Sequence, residues 1–347
     1  MIVPEGYDDP ARPSGGNTYD RRVCQGLAAR GWSVAVDAVP GSWPHPNAAA
    51  HAVLAAAVGR IPDGALVLLD GLVASTAADV LVPQAHRLRL VALVHMPLGQ
   101  RQAGDAVRER EAAVLSAAAA VVTTSGWARR VLLDLYGLPP DRVHVAEPGV
   151  DAAELAPGTA TAGALLCVAA VTPGKGHDVL LHALSTMTEL RWHCRCVGSL
   201  DRDPAFARRL RLQSADLGLG QRLSFPGPGA GAELDRSYAA ADLLVLASRG
   251  ETYGMVVTEA LARGLPVIAA DVGGVSEALG HGADGSRPGT LVPPDDPAGL
   301  GAALRAWLGD ADLRRGWRRA ARERRASLAP WSATTSAVAG VLQGAAP

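Results

Sequence analysis

Lysine, aromatic side chains and long hydrophobic runs are all scarce in this 347-residue chain. It contains one lysine, Lys175, and aromatic residues make up 4% of the sequence. The longest apolar run, residues 112–122, is shorter than the ~20 residues that span a bilayer, so we expect no integral membrane segment. The formal net charge of -1 gives no overall attraction to nucleic acid or to an anionic membrane. These features predict a soluble protein with cores of Ala, Val and Leu and no nucleic-acid partner.

Cysteine is also rare, and its positions do not fit two common roles. The four cysteines, Cys24, Cys167, Cys194 and Cys196, show neither metal-ligand spacing nor a disulfide framework. The first 16 residues include acidic side chains and three prolines, which is unlike a secretory signal peptide. A reducing compartment fits both observations, and we therefore expect a cytoplasmic protein.

Short apolar runs alternate with helix-length amphipathic stretches along the chain. This alternation predicts parallel sheets built from βαβ units, and the length suggests two domains. In the first half, the predicted strands are 33–38, 65–69, 89–94, 120–124 and 143–146, and the predicted helices are 18–30, 48–59, 106–117 and 126–135. The pattern restarts with predicted strands at 164–170, 192–197, 223–225, 243–247 and 266–270 and a helix over 178–188.

The join between the halves and the C-terminal tail differ in composition from the rest. Residues 151–162 are small, polar and proline-containing, as expected of a linker. We therefore expect an N-terminal domain over 1–155, a C-terminal domain over 156–328 and a final helix over 329–347. Residues 305–325 carry eight arginines on one predicted helix. Such a run is usually a solvated face, and contact with an anionic membrane or an acidic partner is the alternative.

The single lysine lies in a glycine-bracketed turn, Pro173-Gly174-Lys175-Gly176, between a predicted strand and a predicted helix. A compact ammonium on a flexible stem is suited to a point contact with a phosphate oxygen. An exposed turn lysine with no partner is the simpler alternative. A second motif downstream favours the phosphate contact.

That second motif runs from Glu251 to Glu259 with the sequence ETYGMVVTE and opens a predicted helix. The first N–H groups of a helix and the positive end of its dipole attract anions, so Gly254, Met255 and Val256 are predicted to contact phosphate. Glu259 lies just over one turn inside the helix, where it can accept hydrogen bonds from a vicinal diol. Glu251 precedes the helix and could reach the far side of a diphosphate.

The lysine turn, the two glutamates and the following segment ALARGLPVIAADVGGVSE together resemble the retaining GT-B glycosyltransferases of family 4. Ser14-Gly15-Gly16-Asn17 resembles that family's N-terminal glycine loop, and Val94-His95-Met96-Pro97 resembles its histidine-containing strand end. The resemblance covers nearly the whole chain. It implies an α/β fold of the GT-B type, with two facing Rossmann-like, doubly wound domains and a C-terminal helix that crosses back to the N-terminal domain.

The same resemblance implies the substrates and the residues that bind them. The donor would be a nucleotide-diphosphate sugar, with a UDP-hexose ahead of GDP- and ADP-sugars, and the acceptor a hydroxyl of a small molecule, glycan or lipid-linked compound. Lys175 would contact the diphosphate, Glu259 the ribose and Glu251 the transferred sugar. The implied catalytic residues are His95, Lys175 and Glu251, and the implied substrate-binding residues are Gly15, Gly16, Lys175, Glu251, Gly254, Met255, Val256 and Glu259.

By the same resemblance, transfer would retain the anomeric configuration and need neither a metal ion nor a cofactor beyond the nucleotide sugar. Asp201-Arg202-Asp203 has the spelling of a metal-binding Asp-x-Asp motif. Because proline follows it, this segment is better interpreted as the start of a helix, and we expect no metal site there.

One departure from the family pattern keeps other functions open. Many relatives carry an arginine shortly before the lysine, and this chain has none between residues 168 and 174. Arg249 is a candidate substitute. The alternatives are a catalytically weak nucleotide-sugar-binding partner subunit, or another GT-B-like enzyme. The latter could be a nucleotide-sugar 2-epimerase or a phosphorylase with pyridoxal phosphate on Lys175.

Overall fold

The computed structural model describes residues 1–9, 13–100 and 104–346. The chain forms two compact units, each built on one six-stranded sheet. Unit 1 contains Met1–Asp9, Ser14–Gly149 and the described part of the chain from Ala329 onward, and unit 2 contains Val150–Leu328.

Unit 1 carries a parallel sheet with the strand order β2-β1-β3-β4-β5-β6. The central strands are buried on both faces, because helices cover both sides of the sheet. The strands are β1 (Ile2–Pro4), β2 (Asp37–Val39), β3 (Leu66–Asp70), β4 (Arg89–Val94), β5 (Ala120–Thr123) and β6 (Val143–Val145), and the helices are α1 (Gly15–Ala29), α2 (Ala48–Gly59), α3 (Gly71–Ala74), α4 (Ala78–Leu81), α5 (Asp105–Ala117) and α6 (Gly126–Tyr136).

Unit 2 repeats the plan with the strand order β12-β11-β10-β7-β8-β9, again with parallel pairs throughout. Its two largest apolar clusters lie on the two faces of this sheet. The strands are β7 (Ala164–Val168), β8 (His193–Val197), β9 (Leu223–Gly227), β10 (Leu243–Leu246), β11 (Val267–Ala270) and β12 (Gly289–Val292), and the helices are α7 (His177–Ser185), α8 (Pro204–Asp216), α9 (Gly231–Ala239), α10 (Met255–Ala262), α11 (Val275–Leu279), α12 (Pro297–Gly309) and α13 (Ala311–Arg325).

The last helix, α14 (Trp331–Ala345), belongs to unit 1 and packs on α1. Gly26 permits this close contact, because a Cβ there would lie 2.2 Å from Oγ1 of Thr335. The hydroxyl of Thr334 donates a hydrogen bond to the carbonyl of Glu147 at 2.7 Å. The predicted return of the C-terminal helix to the N-terminal domain is therefore confirmed.

The segment that enters unit 2 is irregular but tightly held. Residues 150–163 contain no helix or strand. The fully buried Asp242 accepts hydrogen bonds from the backbone N–H groups of Thr159 at 2.7 Å and Ala164 at 2.9 Å, and it pairs with Arg318 at 2.9 Å. This carboxylate therefore anchors the segment to the sheet.

Three secondary-structure predictions were wrong, each because the local pattern was weak or misleading. The short strands β1 and β12 were missed, since one ends in proline and the other begins with glycine. Only the end of the predicted strand 33–38 is extended in the sheet, as part of β2. The arginine-rich run is divided between α12 and α13, because Asp310 ends the first helix and its side chain caps the second through Leu313 N–H at 3.0 Å.

The arginines of α13 are also more than a solvated face. Arg314 donates to the carbonyls of Trp307 and Leu308 at 2.8 and 2.9 Å, and so satisfies acceptors at the C-terminal end of α12. Arg325 donates to the carbonyl of Ala153 at 2.6 Å. None of the helices in the described part of the chain combines the length and apolar character needed to cross a membrane.

Candidate functional site

The sheet of unit 2 contains a topological switch point between β7 and β10. From β7 the chain proceeds outward through β8 and β9, and it then returns to place β10 on the other side of β7. Loops that leave the carboxyl ends of two such strands run in opposite directions and create a crevice for ligands. Lys175 lies in the loop after β7, and Glu251 lies in the loop after β10.

These two loops bring opposite charges into contact. Nζ of Lys175 donates to Oε1 of Glu251 at 2.6 Å, and the hydroxyl of Ser248 donates to the same oxygen at 2.7 Å. The side chains of Lys175 and Glu251 are 32% and 14% exposed. The ammonium is therefore paired in the free protein but still accessible to an anionic ligand.

Glycine at position 176 lets the lysine loop approach β10. Gly176 has a φ of +65°, and a Cβ there would lie 1.9 Å from the carbonyl oxygen of Ala247. The N–H of Arg249 donates to the carbonyl of Gly174 at 2.9 Å, so the two loops also share a backbone hydrogen bond. A side chain at position 176 would displace Lys175 from its place beside Glu251.

Arg249 does not act as the free second cation suggested by the sequence. Its guanidinium binds both carboxylate oxygens of Asp178, at 3.0 and 2.8 Å, and a carboxylate oxygen of Asp295 at 2.6 Å. It also donates to the carbonyl of Pro173. These partners raise the pKa of Arg249 and lower the pKa of Asp178 despite its partial burial. Arg249 therefore ties the lysine loop to its surroundings.

The N-terminus of α10 lies directly after the Glu251 loop. Gly254 precedes the helix with a φ of +94°, and Met255 and Val256 are its first two residues. The N–H groups of a first helical turn lack intrahelical partners. On the other side of the loop, the N–H of Gly274 donates to the carbonyl of Glu251 at 3.1 Å. Loops after β7, β10 and β11 thus meet at one edge of the sheet.

Glu259 lies on α10 and is half-buried. Its contact with Tyr238 was not predicted from the sequence. Its Oε2 accepts a hydrogen bond from the hydroxyl of the buried Tyr238 at 2.7 Å. Arg263 lies over the Tyr238 ring, with its guanidinium carbon 4.4 Å from the centroid. Burial raises the pKa of Glu259, although the Tyr238 hydrogen bond and the Arg263 charge oppose the rise. The carboxylate is positioned to accept further hydrogen bonds.

The remaining predicted site residues lie together in unit 1. Helix α1 begins at Gly15, three residues before the predicted start at residue 18, and Ser14 caps it by accepting from the N–H of Asn17 at 3.1 Å. His95 follows β4, and a Cβ at Gly16 would lie 3.3 Å from its Cδ2. Gly16 and the imidazole ring are therefore neighbours, as the glycine loop and the strand end suggested.

Two aspartates beside His95 were missed by the sequence analysis. Nε2 of His95 lies 2.8 Å from Oδ1 of Asp20 and 3.6 Å from Oδ2 of Asp70. Both aspartates are buried. Asp20 interrupts the apolar face of α1, and Asp70 ends the buried strand β3. A charged residue in an otherwise apolar pattern was therefore the sequence signal that could have identified both aspartates.

The Asp201-Arg202-Asp203 segment and the cysteines were tested as metal ligands in the sequence analysis, and the structure shows the surroundings of both. Asp203 caps α8 by accepting from the N–H of Phe206 at 2.9 Å, as its place before proline predicted. Cys167 and Cys196 lie opposite each other on β7 and β8, and Nε2 of His177 is 3.7 Å from Sγ of Cys167. This buried group was invisible in the sequence because its members come from three separate elements.

Solved structures of other proteins share this fold. The chain is similar over 99% of its length to sucrose-phosphate synthase from Thermosynechococcus elongatus, with a TM-score of 0.78, 22% identity and 98% of that chain covered. It is similar over the same share to Anabaena HepE, whose structure contains UDP-glucose, with a TM-score of 0.77, 18% identity and 98% coverage. Two six-stranded parallel sheets with these strand orders are characteristic of the GT-B fold, and the chain has this fold.

Sequence comparison identifies the family. Residues 13–154 match the model of Glycosyltransferase Family 4, and residues 160–324 match that of Glycosyl transferases group 1. The chain belongs to this glycosyltransferase family.

Curated relatives include D-inositol 3-phosphate glycosyltransferases from two organisms. The protein from Catenulispora acidiphila is 34% identical over 263 residues, which are 70% of this chain and 61% of the relative. The protein from Jonesia denitrificans is 32% identical over 287 residues, 76% of this chain and 66% of the relative. This chain thus spans slightly less than two thirds of the length of these relatives.

Proposed function

We propose that this protein is a retaining glycosyltransferase. It moves a hexose-type sugar from a nucleotide-diphosphate sugar, with a UDP-sugar as the first candidate, to an acceptor hydroxyl without a metal ion. The observation that carries this proposal is the meeting of Lys175, Glu251 and the N-terminus of α10 at the switch point of unit 2. Family membership and the UDP-glucose bound to Anabaena HepE support the choice of donor.

The chemistry of the donor assigns a task to each group. Departure of the nucleotide leaves a diphosphate with added negative charge beside an oxocarbenium-like sugar. The Lys175 ammonium and the α10 N–H groups stabilise that charge more in the transition state than in the ground state. Glu251 accepts a hydrogen bond from the sugar, and Glu259 accepts from the ribose hydroxyls.

Retention follows in this proposal from attack on the face that the leaving group vacates. A phosphate oxygen of the donor takes the proton from the acceptor hydroxyl as the new glycosidic bond forms. The sugar–phosphate bond breaks in the same event, and the nucleotide diphosphate leaves. His95, with Gly15 and Gly16, supplies the substrate contacts of unit 1.

A thermal-shift screen tests the donor site. The purified protein is incubated with UDP, GDP and ADP and with their glucose and mannose derivatives. We expect stabilisation by one nucleotide series, and its loss in Lys175→Ala and Glu259→Ala. Asp295→Asn serves as the control, because it removes a nearby carboxylate that pairs with Arg249 rather than with Lys175. Stabilisation that persists in both site variants would refute the assigned donor site.

Turnover is tested with the donor that binds. Product anomers are assigned by proton NMR across an acceptor panel that includes D-inositol 3-phosphate, because curated relatives are named for it. An α-linked product from an α-linked donor supports retention. Binding without transfer or donor hydrolysis would instead support the partner-subunit alternative. A visible absorption band of pyridoxal phosphate that stays with the protein after dialysis and is lost in Lys175→Ala would support the phosphorylase alternative.

A further inference from the structure

Asp20, Asp70 and His95 form a compact titratable cluster in unit 1. Oδ1 of Asp20 lies 2.8 Å from Nε2 of His95, and Oδ2 of Asp70 lies 3.6 Å from the same nitrogen. The two carboxyl groups are almost fully buried, whereas 16% of the His95 side chain is exposed. The imidazole therefore has one edge in the protein interior and one edge accessible to a ligand.

This cluster needs the positive charge of a protonated imidazole whenever one of its two carboxyl groups is ionised. Among residues 1–9, 13–100 and 104–346, neither Asp20 nor Asp70 has a lysine or arginine within ion-pair distance. Oδ2 of Asp20 lacks any hydrogen-bond partner there, although Leu72 N–H donates to Oδ1 of Asp70 at 2.7 Å. An unpaired buried carboxylate is costly, so a buried anion here requires a cation beside it.

The other groups around the ring do not supply that cation. Tyr19 meets His95 edge-on, with centroids 5.2 Å apart, and its hydroxyl donates to the carbonyl of Ala146 at 2.8 Å. Cys24, one turn further along α1, stays a neutral thiol because burial and the Asp20 charge raise its pKa to about 11. The Met1 amine, whose pKa is lowered mainly by burial, interacts with Cys24 and Asp37 and donates to the carbonyl of Ala35. Among the described residues beside the ring, the two carboxyl groups and the imidazole therefore share protons near neutral pH.

We infer that Asp20 and Asp70 are positioning residues that hold His95 as an imidazolium. Its Nε2–H points at Asp20, and its Nδ1–H is left to donate to an oxygen of the bound substrate. Across the described residues, Nδ1 has no hydrogen-bond partner. An imidazolium cannot accept a proton, so His95 acts as a donating cation and not as a general base. This inference deepens the proposed function and rests on it only for the identity of the ligand.

The pKa values of the cluster agree with this assignment. Burial opposes the charged imidazole, but the Asp20 charge, its hydrogen bond and the Asp70 charge outweigh burial and raise the pKa of His95. Burial and the Asp20 charge raise the pKa of Asp70 to about 7. A proton on Asp70 leaves one carboxylate and one imidazolium, which is a neutral cluster. The raised histidine pKa stabilises the fold at low pH, and that contribution is lost as the pH rises through the folded value.

Nitrogen NMR of the intact protein labelled with ¹⁵N-histidine tests the ring directly and needs no substrate. The His95 signals are assigned by their absence in His95→Gln. We expect both ring nitrogens of His95 to remain protonated at a pH at which histidines of the urea-unfolded chain are already neutral. In Asp20→Asn the titration midpoint should fall below that of the parent protein. Asp70→Asn provides a second variant if Asp20→Asn does not fold.

The matched control is Asp79→Asn, which removes an exposed carboxylate 3.1 Å from Nδ1 of His51 in the same unit. It should leave the His95 signals unchanged. A His95 ring that is singly protonated at neutral pH, or that titrates as in the unfolded chain, would overturn the inference. So would His95 signals that broaden with Mn²⁺ and recover with EDTA, because the cluster would then be a metal site. These NMR measurements require no turnover. A failed inference about His95 can therefore be distinguished from a failure of the proposed transferase activity.

Discussion

Glu251→Gln offers the sharpest test of the donor site, because it should move two affinities in opposite directions. In the free protein, Oε1 of Glu251 is the hydrogen-bonding partner of the Lys175 ammonium at 2.6 Å. A diphosphate must compete with that carboxylate for the lysine. The glutamine keeps the shape and the Ser248 hydrogen bond but removes the competing charge. Binding of UDP alone should therefore become tighter.

The size of the effect follows from the exposure of the pair. Both side chains reach solvent, so screening limits their interaction to about 1 kcal/mol, and UDP should bind up to about fivefold more tightly. In Glu251→Gln, the sugar hydroxyl of a UDP-sugar donates to a neutral amide oxygen instead of a carboxylate. Exchanging a charged hydrogen bond for a neutral one costs about 1–1.5 kcal/mol. The ratio of the UDP-sugar Kd to the UDP Kd should thus rise about tenfold.

Isothermal titration calorimetry with UDP and UDP-glucose measures both affinities on the same preparation. Asp295→Asn is the control of equal charge change, and it should leave the ratio unaltered because Asp295 pairs with Arg249. Weaker UDP binding by Glu251→Gln would refute the competition between carboxylate and phosphate. An equal change for UDP and UDP-glucose would refute the contact between Glu251 and the sugar.

Three further predictions concern unit 2, and each is tested by substitution. Gly176→Ala should destabilise the protein by more than about 2 kcal/mol and abolish nucleotide binding, because its positive φ alone costs ~1–2 kcal/mol and its Cβ would lie 1.9 Å from the Ala247 carbonyl. Gly174→Ala is the control, because an added Cβ there would meet no atom within 4 Å beyond its chain neighbours. Urea titration and a nucleotide-binding assay should show that this second substitution is tolerated. Glu259→Gln should weaken nucleotide binding about tenfold yet raise the Tm at pH 8. The raised pKa of Glu259 penalises the folded carboxylate at high pH, so a Tm gain as large at pH 4 would contradict this reasoning. Asp242→Asn should lower the free energy of unfolding by about 2–4 kcal/mol, measured by urea titration, because the buried carboxylate holds two backbone N–H groups and an arginine; unchanged stability would refute its anchoring role.

The two-unit plan was readable from the sequence because it depends on local, repeated signals. Buried parallel strands appear as continuous apolar runs, and the amphipathic stretches between them mark the covering helices. Where that signal was short, as in β1 and β12, prediction failed. The loops carrying Lys175 and Glu251 were also identifiable, since glycines and isolated charges stand out against an alanine- and valine-rich background.

The sequence by itself therefore determined the fold class and the chemical types of the site residues. Only the tertiary structure decided which of these side chains are partners. Arg249 has the charge to bind phosphate, but Asp178 and Asp295 occupy its guanidinium. His95 acquires its carboxyl partners from α1 and from the end of β3. The physical reason is that charge is a property of one residue, whereas pairing and desolvation depend on atoms far apart in the chain and brought together by packing.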